Sequence, residues 1–215
     1  MEKRLFFGLL LVVGLLCSAA NAREYQVSRR YYDDGILKGF GSNIVIVGTP
    51  EQTLKITRWL DQISFVPKGY DTLRSISNSA HELVIQHSDH ALASAGRTRA
   101  AMTMNLINGN GDDVHIIFDA RIDDDGSHMV YNARRELIEY TATQNLFHEL
   151  AHAMHMMNGT WRYFASEAQA IEEENIFRRQ MAEIQGRPAT QRYRVAGVLV
   201  NEPEFSEHRT SNVKY

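Results

Sequence analysis

The chain has 215 residues, of which 44% are hydrophobic, a formal net charge of −3 and one cysteine. This length can bury a substantial core, and the slight acidity without a basic stripe argues against nucleic acid and anionic membranes as partners. Because the one cysteine is Cys17, near the N-terminus, a chain shortened there could form no disulfide, and its stability would come from packing or a metal.

Residues 1–22 are predicted to form a secretory signal peptide. Lys3 and Arg4 give a positive start, an uncharged apolar segment follows from Leu5 to Leu16, and Ala20-Asn21-Ala22 offers a small-residue cleavage site. The apolar segment is shorter than the ~20 residues that cross a bilayer, so cleavage is a better interpretation than retention as a membrane anchor.

After cleavage we expect one domain over residues 23–215, with a loose polar tail over residues 201–215. Residues 1–22 carry one net positive charge, so their removal leaves a net charge of −4. The predicted protein is therefore exported, either secreted or periplasmic, and it has no stable membrane insertion.

The first predicted elements are a strand and a helix. "NIVIVG" (43–48) is rich in β-branched residues and predicts a strand. Thr49 can cap the next helix, Pro50 suits its first position and Gln52 can complete a capping box. An apolar stripe at helical spacing follows, formed by Ile56, Trp59, Leu60 and Ile63.

Shorter elements follow. Residues 67–69 end the first helix, and a second is plausible over Tyr70 to Ile76. "HELVIQH" from His81 predicts a strand, and "TMNLI" (103–107) and "VHIIFDARI" (114–122) predict two more, joined by the hairpin turn "NGNGDD". The acidic run Asp123-Asp124-Asp125 lacks the spaced ligands of a calcium loop and is interpreted as a solvated turn.

The C-terminal half changes character, because helical patterns run from about Arg134 to Gln185. Strands that come first and helices that come later predict an α+β domain.

The segment "LFHELAHAMHMMNG" (146–159) carries the strongest chemical signal. His148 and His152 are four residues apart, so on a helix they share a face and both imidazoles can reach one metal ion. Glu149 projects beside them, where its carboxylate can take a proton from an attacking water.

The rest of this segment agrees with a half-buried helix. His155 joins the histidine face, but it lies two turns from His148, a span of ~10 Å, so it is expected to support a ligand or line a substrate cleft. Asn158-Gly159 predicts the end of the helix. The apolar residues fall on the opposite face: Leu146, Leu150, Ala153, Met154 and Met157.

A catalytic zinc takes three protein ligands and one water, and without cysteine the third ligand has to be His, Asp or Glu. The next predicted helix, "SEAQAIEEENIFRRQMAEIQGRP" (166–188), supplies candidates. Ser166 and Gln169 can form a capping box at its start, and Gly186 and Pro188 can end it.

Helical geometry separates the four acids in the first half of this helix. Glu167 and Glu174 fall at the edge of the apolar face, whereas Glu172 and Glu173 point away from it. An inward carboxylate is costly unless it is paired or bound to metal. Glu167 is the preferred ligand and Glu174 the alternative, although Glu174 could instead pair with Arg178. The predicted apolar face consists of Ala170, Ile171, Phe177, Met181 and Ile184.

At this point the chain resembles the NleD-type effector metalloproteases, a zincin family of bacterial pathogens. "HELAHAMHMMNG" (148–159) resembles their active-site helix, and "IVGTPEQTLKITRWLDQIS" (46–64) with "PKGYDTL" (67–73) resembles their N-terminal unit. "ENIFRRQ…GRP…RY" (174–193) resembles their C-terminal signature, so the similarity covers most of residues 43–195.

The resemblance implies a zinc protease delivered into host cells, with some family members cutting MAP kinases. It implies that His148 and His152 bind zinc, that Glu149 is the base and that Glu167 matches a family glutamate. It also implies that Tyr193 matches a late tyrosine that could stabilise the oxyanion. The signal peptide implies that export precedes any such delivery.

Together these observations predict a secreted zincin-like α+β endopeptidase, with one Zn²⁺ per chain, that cuts a protein or peptide substrate as a virulence effector or toxin. One alternative is a zinc amidase that acts on cell-wall peptide. Another is a non-catalytic zincin-like binding module, against which the intact Glu149 argues because a pure binder has no use for a base beside the ion.

Overall fold

The computed structural model describes residues 26–31, 43–89, 96–122, 129–132 and 134–192. In these ranges no helix has the length and apolar character needed to cross a membrane. Several predicted features lie outside the described residues, namely the signal peptide, the Asp123–Asp125 turn, Tyr193 and the 201–215 tail.

A five-stranded mixed sheet forms the N-terminal half, in the order β1-β2-β3-β5-β4. The three inner strands are parallel to one another, and both edge strands are antiparallel to their neighbours. Alternate residues of the inner strands are buried, as expected of a sheet with one face against helices. The strands are β1 Val27–Arg30, β2 Ile44–Gly48, β3 Leu83–His87, β4 Arg97–Ala100 and β5 Val114–Phe118.

Five helices and a second, two-stranded sheet complete the described part of the chain, which confirms the predicted α+β class. The helices are α1 Pro50–Ser64, α2 Pro67–Ser77, α3 Thr103–Ile107, α4 Ala142–Met157 and α5 Ser166–Ile184. The small sheet pairs β6 Met129–Tyr131 with β7 Leu137–Glu139.

The predicted start of α1 is confirmed in detail. The Thr49 hydroxyl accepts from the Gln52 amide at 3.3 Å, and the Gln52 side chain accepts from the Thr49 amide at 2.8 Å. Pro50 occupies the first turn, where a missing N–H costs nothing. The predicted apolar stripe is buried. The second predicted helix is also present, but it begins at Pro67 rather than Tyr70.

The predicted hairpin through residues 103–107 is wrong. That segment is helix α3, and the strand that pairs with β5 is β4. Met104 and Ile107 are more than half exposed, whereas Leu106 of the same run is buried in the core. Gly109, with φ of 72°, follows this short helix in the left-handed conformation that glycine adopts readily.

The helical pattern predicted from Arg134 is wrong at its start, because residues 137–139 form β7. Helix α4 begins at Ala142, after a capping box in which the side chains of Thr141 and Gln144 bond each other's backbone amides. Its predicted end at Asn158-Gly159 is confirmed.

Helix α5 starts without the predicted capping box. Ser166 is its first residue, no side chain caps it, and Gln169 instead bonds the backbone of Arg162 and Thr160. The predicted inward position of Ile184 is also wrong, since this side chain is 61% exposed. Helix α5 ends before Gly186, as predicted.

Helix α4 lies at the centre of the described structure. It packs against α1, α2, α5 and strands β4 and β5, and Phe147 stacks on Phe177 of α5 with ring centroids 4.1 Å apart. Its C-terminal end meets the loop after α3 backbone to backbone, because a Cβ on Gly159 would lie 2.0 Å from the Gly109 carbonyl oxygen. This burial holds the HExxH segment rigidly between the sheet and α5.

Candidate metal centre

Helices α4 and α5 bring three of the predicted site residues together. His148 and His152 lie one turn apart on α4, and Glu167 faces both from the first turn of α5. Each histidine Nε2 lies 3.4 Å from a Glu167 oxygen. The ligand atoms of the three side chains, all buried, lie within 4.8 Å of one another, so the group could hold a metal ion.

The donor set and its spacing fit zinc. Two imidazole nitrogens and one carboxylate oxygen form a set that catalytic zinc uses, with the fourth position left for water. Zinc–ligand bonds of ~2.0–2.1 Å place tetrahedral ligand atoms ~3.3 Å apart. The histidine–glutamate separations of 3.4 Å are close to that value, so little movement is needed to close around an ion.

Glu174 approaches the other nitrogen of His148. Its carboxylate accepts a hydrogen bond from His148 Nδ1 at 3.0 Å, and it accepts others from Arg178 Nε at 2.7 Å and Arg192 Nη1 at 2.8 Å. The ion pair with Arg178 is therefore present, as one interpretation of the sequence predicted. A carboxylate at this nitrogen orients the imidazole and leaves Nε2 for a metal.

Arg192 and Tyr140 pack against each other beside Glu174. The sequence had indicated no role for either residue. Arg192 Nη1 donates to the Tyr140 hydroxyl at 3.2 Å, and its guanidinium lies 4.9 Å from the centre of that ring. The backbone of Arg192 exchanges two hydrogen bonds with the Asn175 side chain. The available signal was the basic "RR…RY" pattern, which gave no indication of where those arginines would point.

The electrostatics of the cluster favour a proton where a metal would bind. Burial alone would lower the pKa of His148, but hydrogen bonds from its ring to Glu167 and Glu174 raise that pKa to about 9. Burial would raise the pKa of Glu174, yet Arg192 and Arg178 hold it well below its usual range. A metal ion at Nε2 would take the place of a proton there, so metal binding and protonation of His148 compete.

Glu149 lies outside the ligand group and follows His148 on α4. The side chain is buried, and its Oε2 accepts a hydrogen bond from the hydroxyl of Thr98 on strand β4 at 2.6 Å. Gly96, just before that strand, is in van der Waals contact with the same side chain, because a Cβ on it would lie 2.6 Å from Glu149 Cγ. Sequence reasoning missed both contacts.

His155 also lies outside the ligand group. Its Nδ1 lies 2.8 Å from the Thr160 hydroxyl and 3.1 Å from Gln169 Nε2, and its Nε2 lies 3.6 Å from Glu173. It ties the end of α4 to the loop and helix that carry Glu167. Neither of the two roles that the spacing allowed, supporting a ligand or lining a substrate cleft, is tested by these contacts, because none of the three partners is a proposed ligand.

Comparison with known proteins agrees with this arrangement. The family model described as Peptidase_M91, effector protein, matches residues 41–190, more than two thirds of the chain. The chain belongs to this family. The match confirms the resemblance to NleD-type effectors. It covers all the residues described above around the candidate metal site except Arg192. Among curated proteins, no match was found.

Membership of the Peptidase_M91 family makes this chain a peptidase of the effector class, with a protein substrate. Its described structure adds a buried His-His-Glu group that could bind a metal ion. Tyr193, which the resemblance assigned to the oxyanion, lies beyond the described residues and beyond the matched range.

Proposed function

We propose that this member of the Peptidase_M91 family is a zinc-dependent endopeptidase. The observation that carries the proposal is the convergence of His148, His152 and Glu167, with Glu149 following His148 on the same helix and outside the group. Zinc bound there would act as a Lewis acid on the scissile carbonyl and would lower the pKa of the attacking water toward ~7.

The protein's own groups then divide the work. His148, His152 and Glu167 hold one ion per chain, and Glu174 orients His148 through Nδ1. Glu149 takes the proton of the attacking water and passes it to the leaving amine. We further propose, from the resemblance alone, that Tyr193 donates a hydrogen bond to the developing oxyanion.

The sheet offers a place for a protein substrate. Strand β4 is an edge strand, and among the described strands only β5 pairs with it. An extended peptide can add to such an edge through its backbone. Because Thr98 of β4 contacts Glu149, a peptide along this edge would run past the base. This arrangement favours an internal segment of a protein chain as substrate.

The route to that substrate is also a proposal. Residues 1–22 support export through a signal peptide, and membership of an effector family supports later delivery into a host cell.

Zinc content and peptide hydrolysis of wild type and of matched variants, His152→Ala and Glu174→Gln among them, test the proposed function. Wild type should hold about one zinc per chain, and Glu149→Gln should keep it while losing ~10²-fold or more of its activity. Glu167→Gln should lose zinc affinity together with activity, because it removes a charged ligand. Glu172→Gln, on the same helix and outside the cluster, is the control.

Two outcomes would overturn this scheme. Equal hydrolysis by wild type and Glu149→Gln would show that Glu149 is not the base. Equal zinc content in wild type and His152→Ala would show that His152 does not bind the metal and that the proposed site is wrong. Normal zinc binding by Glu167→Gln together with its loss in Glu174→Gln would move the third ligand to Glu174.

A further inference from the structure

Glu149 is a buried carboxylate with a neutral partner. Glu149 is 6% exposed. Among the described residues, the hydrogen bond to its side chain comes from the Thr98 hydroxyl. Burial of an ionised carboxylate is costly unless hydrogen bonds compensate. A hydroxyl donor orients the carboxylate and stabilises its charged form less than an arginine or lysine in the same place would.

The geometry at Thr98 identifies the acceptor. Its hydroxyl oxygen lies 2.6 Å from Glu149 Oε2 and 3.2 Å from the Glu149 backbone oxygen. A hydroxyl has one proton to donate, and the shorter separation is typical of a bond to a charged oxygen. Thr98 reaches α4 because alternate residues of a strand face opposite sides, and its neighbours Arg97 and Arg99 are exposed.

Gly96 bounds the other side of the same carboxylate. A Cβ on this residue would lie 2.9 Å from Glu149 Oε1 and 2.6 Å from Cγ, and its φ of 71° is one that glycine adopts readily. The carboxylate thus lies in a slot formed by backbone at Gly96 and by the Thr98 hydroxyl. A side chain at position 96 would narrow this slot.

We infer that Thr98 is a positioning residue that holds Glu149 as the base of the peptidase. Its hydroxyl donates to Oε2 and so fixes the orientation of the carboxylate that takes the proton of the attacking water. This inference rests on the proposed function, in which Glu149 is that base. It also gives edge strand β4 a second role, because the strand along which the substrate is proposed to lie orients the group that activates the water.

The test compares Thr98→Val, which keeps the branched shape and removes the hydroxyl, with Thr98→Ser, which keeps the hydroxyl. The control is Thr57→Val, which removes a hydroxyl that donates at 2.7 Å to the Thr53 carbonyl on α1. Zinc content, kcat and KM are measured on zinc-loaded protein with a protein-derived peptide mixture. Wild type and Glu149→Gln are included.

Thr98→Val should lower kcat ~10- to 100-fold, the effect of losing one hydrogen bond to a charged group, with KM within ~2-fold of wild type. Zinc content should not change. Thr98→Ser should stay within ~3-fold of wild-type kcat, and Thr57→Val should match wild type. A wild-type kcat for Thr98→Val, or an equal fall in the serine variant, would overturn the inference.

Crystal structures of zinc-loaded wild type and Thr98→Val give a readout that needs no turnover. The Glu149 carboxylate should leave its wild-type position in the valine variant; an unchanged position would contradict the inference. If wild type cleaves nothing while Glu149 still moves, the proposed function fails and the positioning role stands. If Thr98→Val does not fold, Thr98→Ala takes its place under the same criteria.

Discussion

Replacement of Glu174 by glutamine should weaken both the fold and the metal site. The carboxylate has no exposed surface, and it accepts hydrogen bonds from Arg178, Arg192 and His148 at 2.7, 2.8 and 3.0 Å. Glutamine keeps the shape but carries no charge. Two buried guanidinium groups then lose their shared counter-ion, and the His148 ring loses a charged acceptor at Nδ1.

The magnitude follows from the burial of these charges. Removal of one member of a buried ion pair costs ~3–5 kcal/mol. The amide oxygen of glutamine can still accept one hydrogen bond, so the free energy of unfolding should fall by about 3 kcal/mol. That is a large part of the ~5–15 kcal/mol that stabilises a typical domain. The melting temperature should fall by ~6–12 °C, and zinc affinity should fall ~10- to 100-fold because His148 is no longer oriented.

Urea unfolding of metal-free protein, followed by circular dichroism, measures the first effect, and competition with a chromophoric zinc chelator measures the second. Glu173→Gln is the matched control on the adjacent residue. Its side chain is 19% exposed and pairs with Lys68 and His155 rather than with two fully buried groups, so its loss should cost about 1–2 kcal/mol and leave zinc affinity unchanged.

Equal stability of the two variants would refute the reasoning about buried charge. A clear loss of stability in Glu174→Gln with unchanged zinc affinity would show that His148 needs no carboxylate partner to bind metal.

Three further predictions follow from other parts of the molecule. The pKa of His148 is about 9 in the folded, metal-free protein and ~6.5 when unfolded, so stability should fall by up to ~1.4 kcal/mol per pH unit as pH rises between these values. Urea titrations at several pH values should show this slope without zinc and lose it with zinc. Gly159→Ala should lower the free energy of unfolding by more than ~2 kcal/mol, because the new Cβ would lie 2.0 Å from the Gly109 carbonyl oxygen. Gly186→Ala, with open space around it, should lower it by only ~1 kcal/mol. Equal melting temperatures of the two variants would contradict this. N-terminal sequencing of exported protein should begin at Arg23, and a membrane-bound product that retains Met1 would indicate an anchor.

The sequence predicted the elements whose signals are local. Helix α1 carries its own cap and apolar stripe, and the HExxH spacing places two histidines on one face whatever surrounds them. Helical geometry also selected Glu167 and Glu174 over their neighbours, and the structure places both beside His148.

The missed features depend on short elements or on distant partners. Helix α3 has five residues and β7 has three, too few to show a period. The contact between Thr98 and Glu149 joins residues 51 positions apart. The contact between Arg192 and Glu174 depends on the path of the chain after α5. No pattern within a window of the sequence contains that information.

In the helical hairpin of α4 and α5, the proposed metal ligands lie closer together in sequence than the proposed base and the residue that orients it. The proposed ligands all lie between residues 148 and 167, so a short loop closure brings them together, and none of them lies on a strand of the sheet. The Thr98 contact needs the completed long-range topology. The three proposed ligands therefore come from one local segment, whereas the position of the proposed base depends on a contact between residues 51 positions apart in the chain.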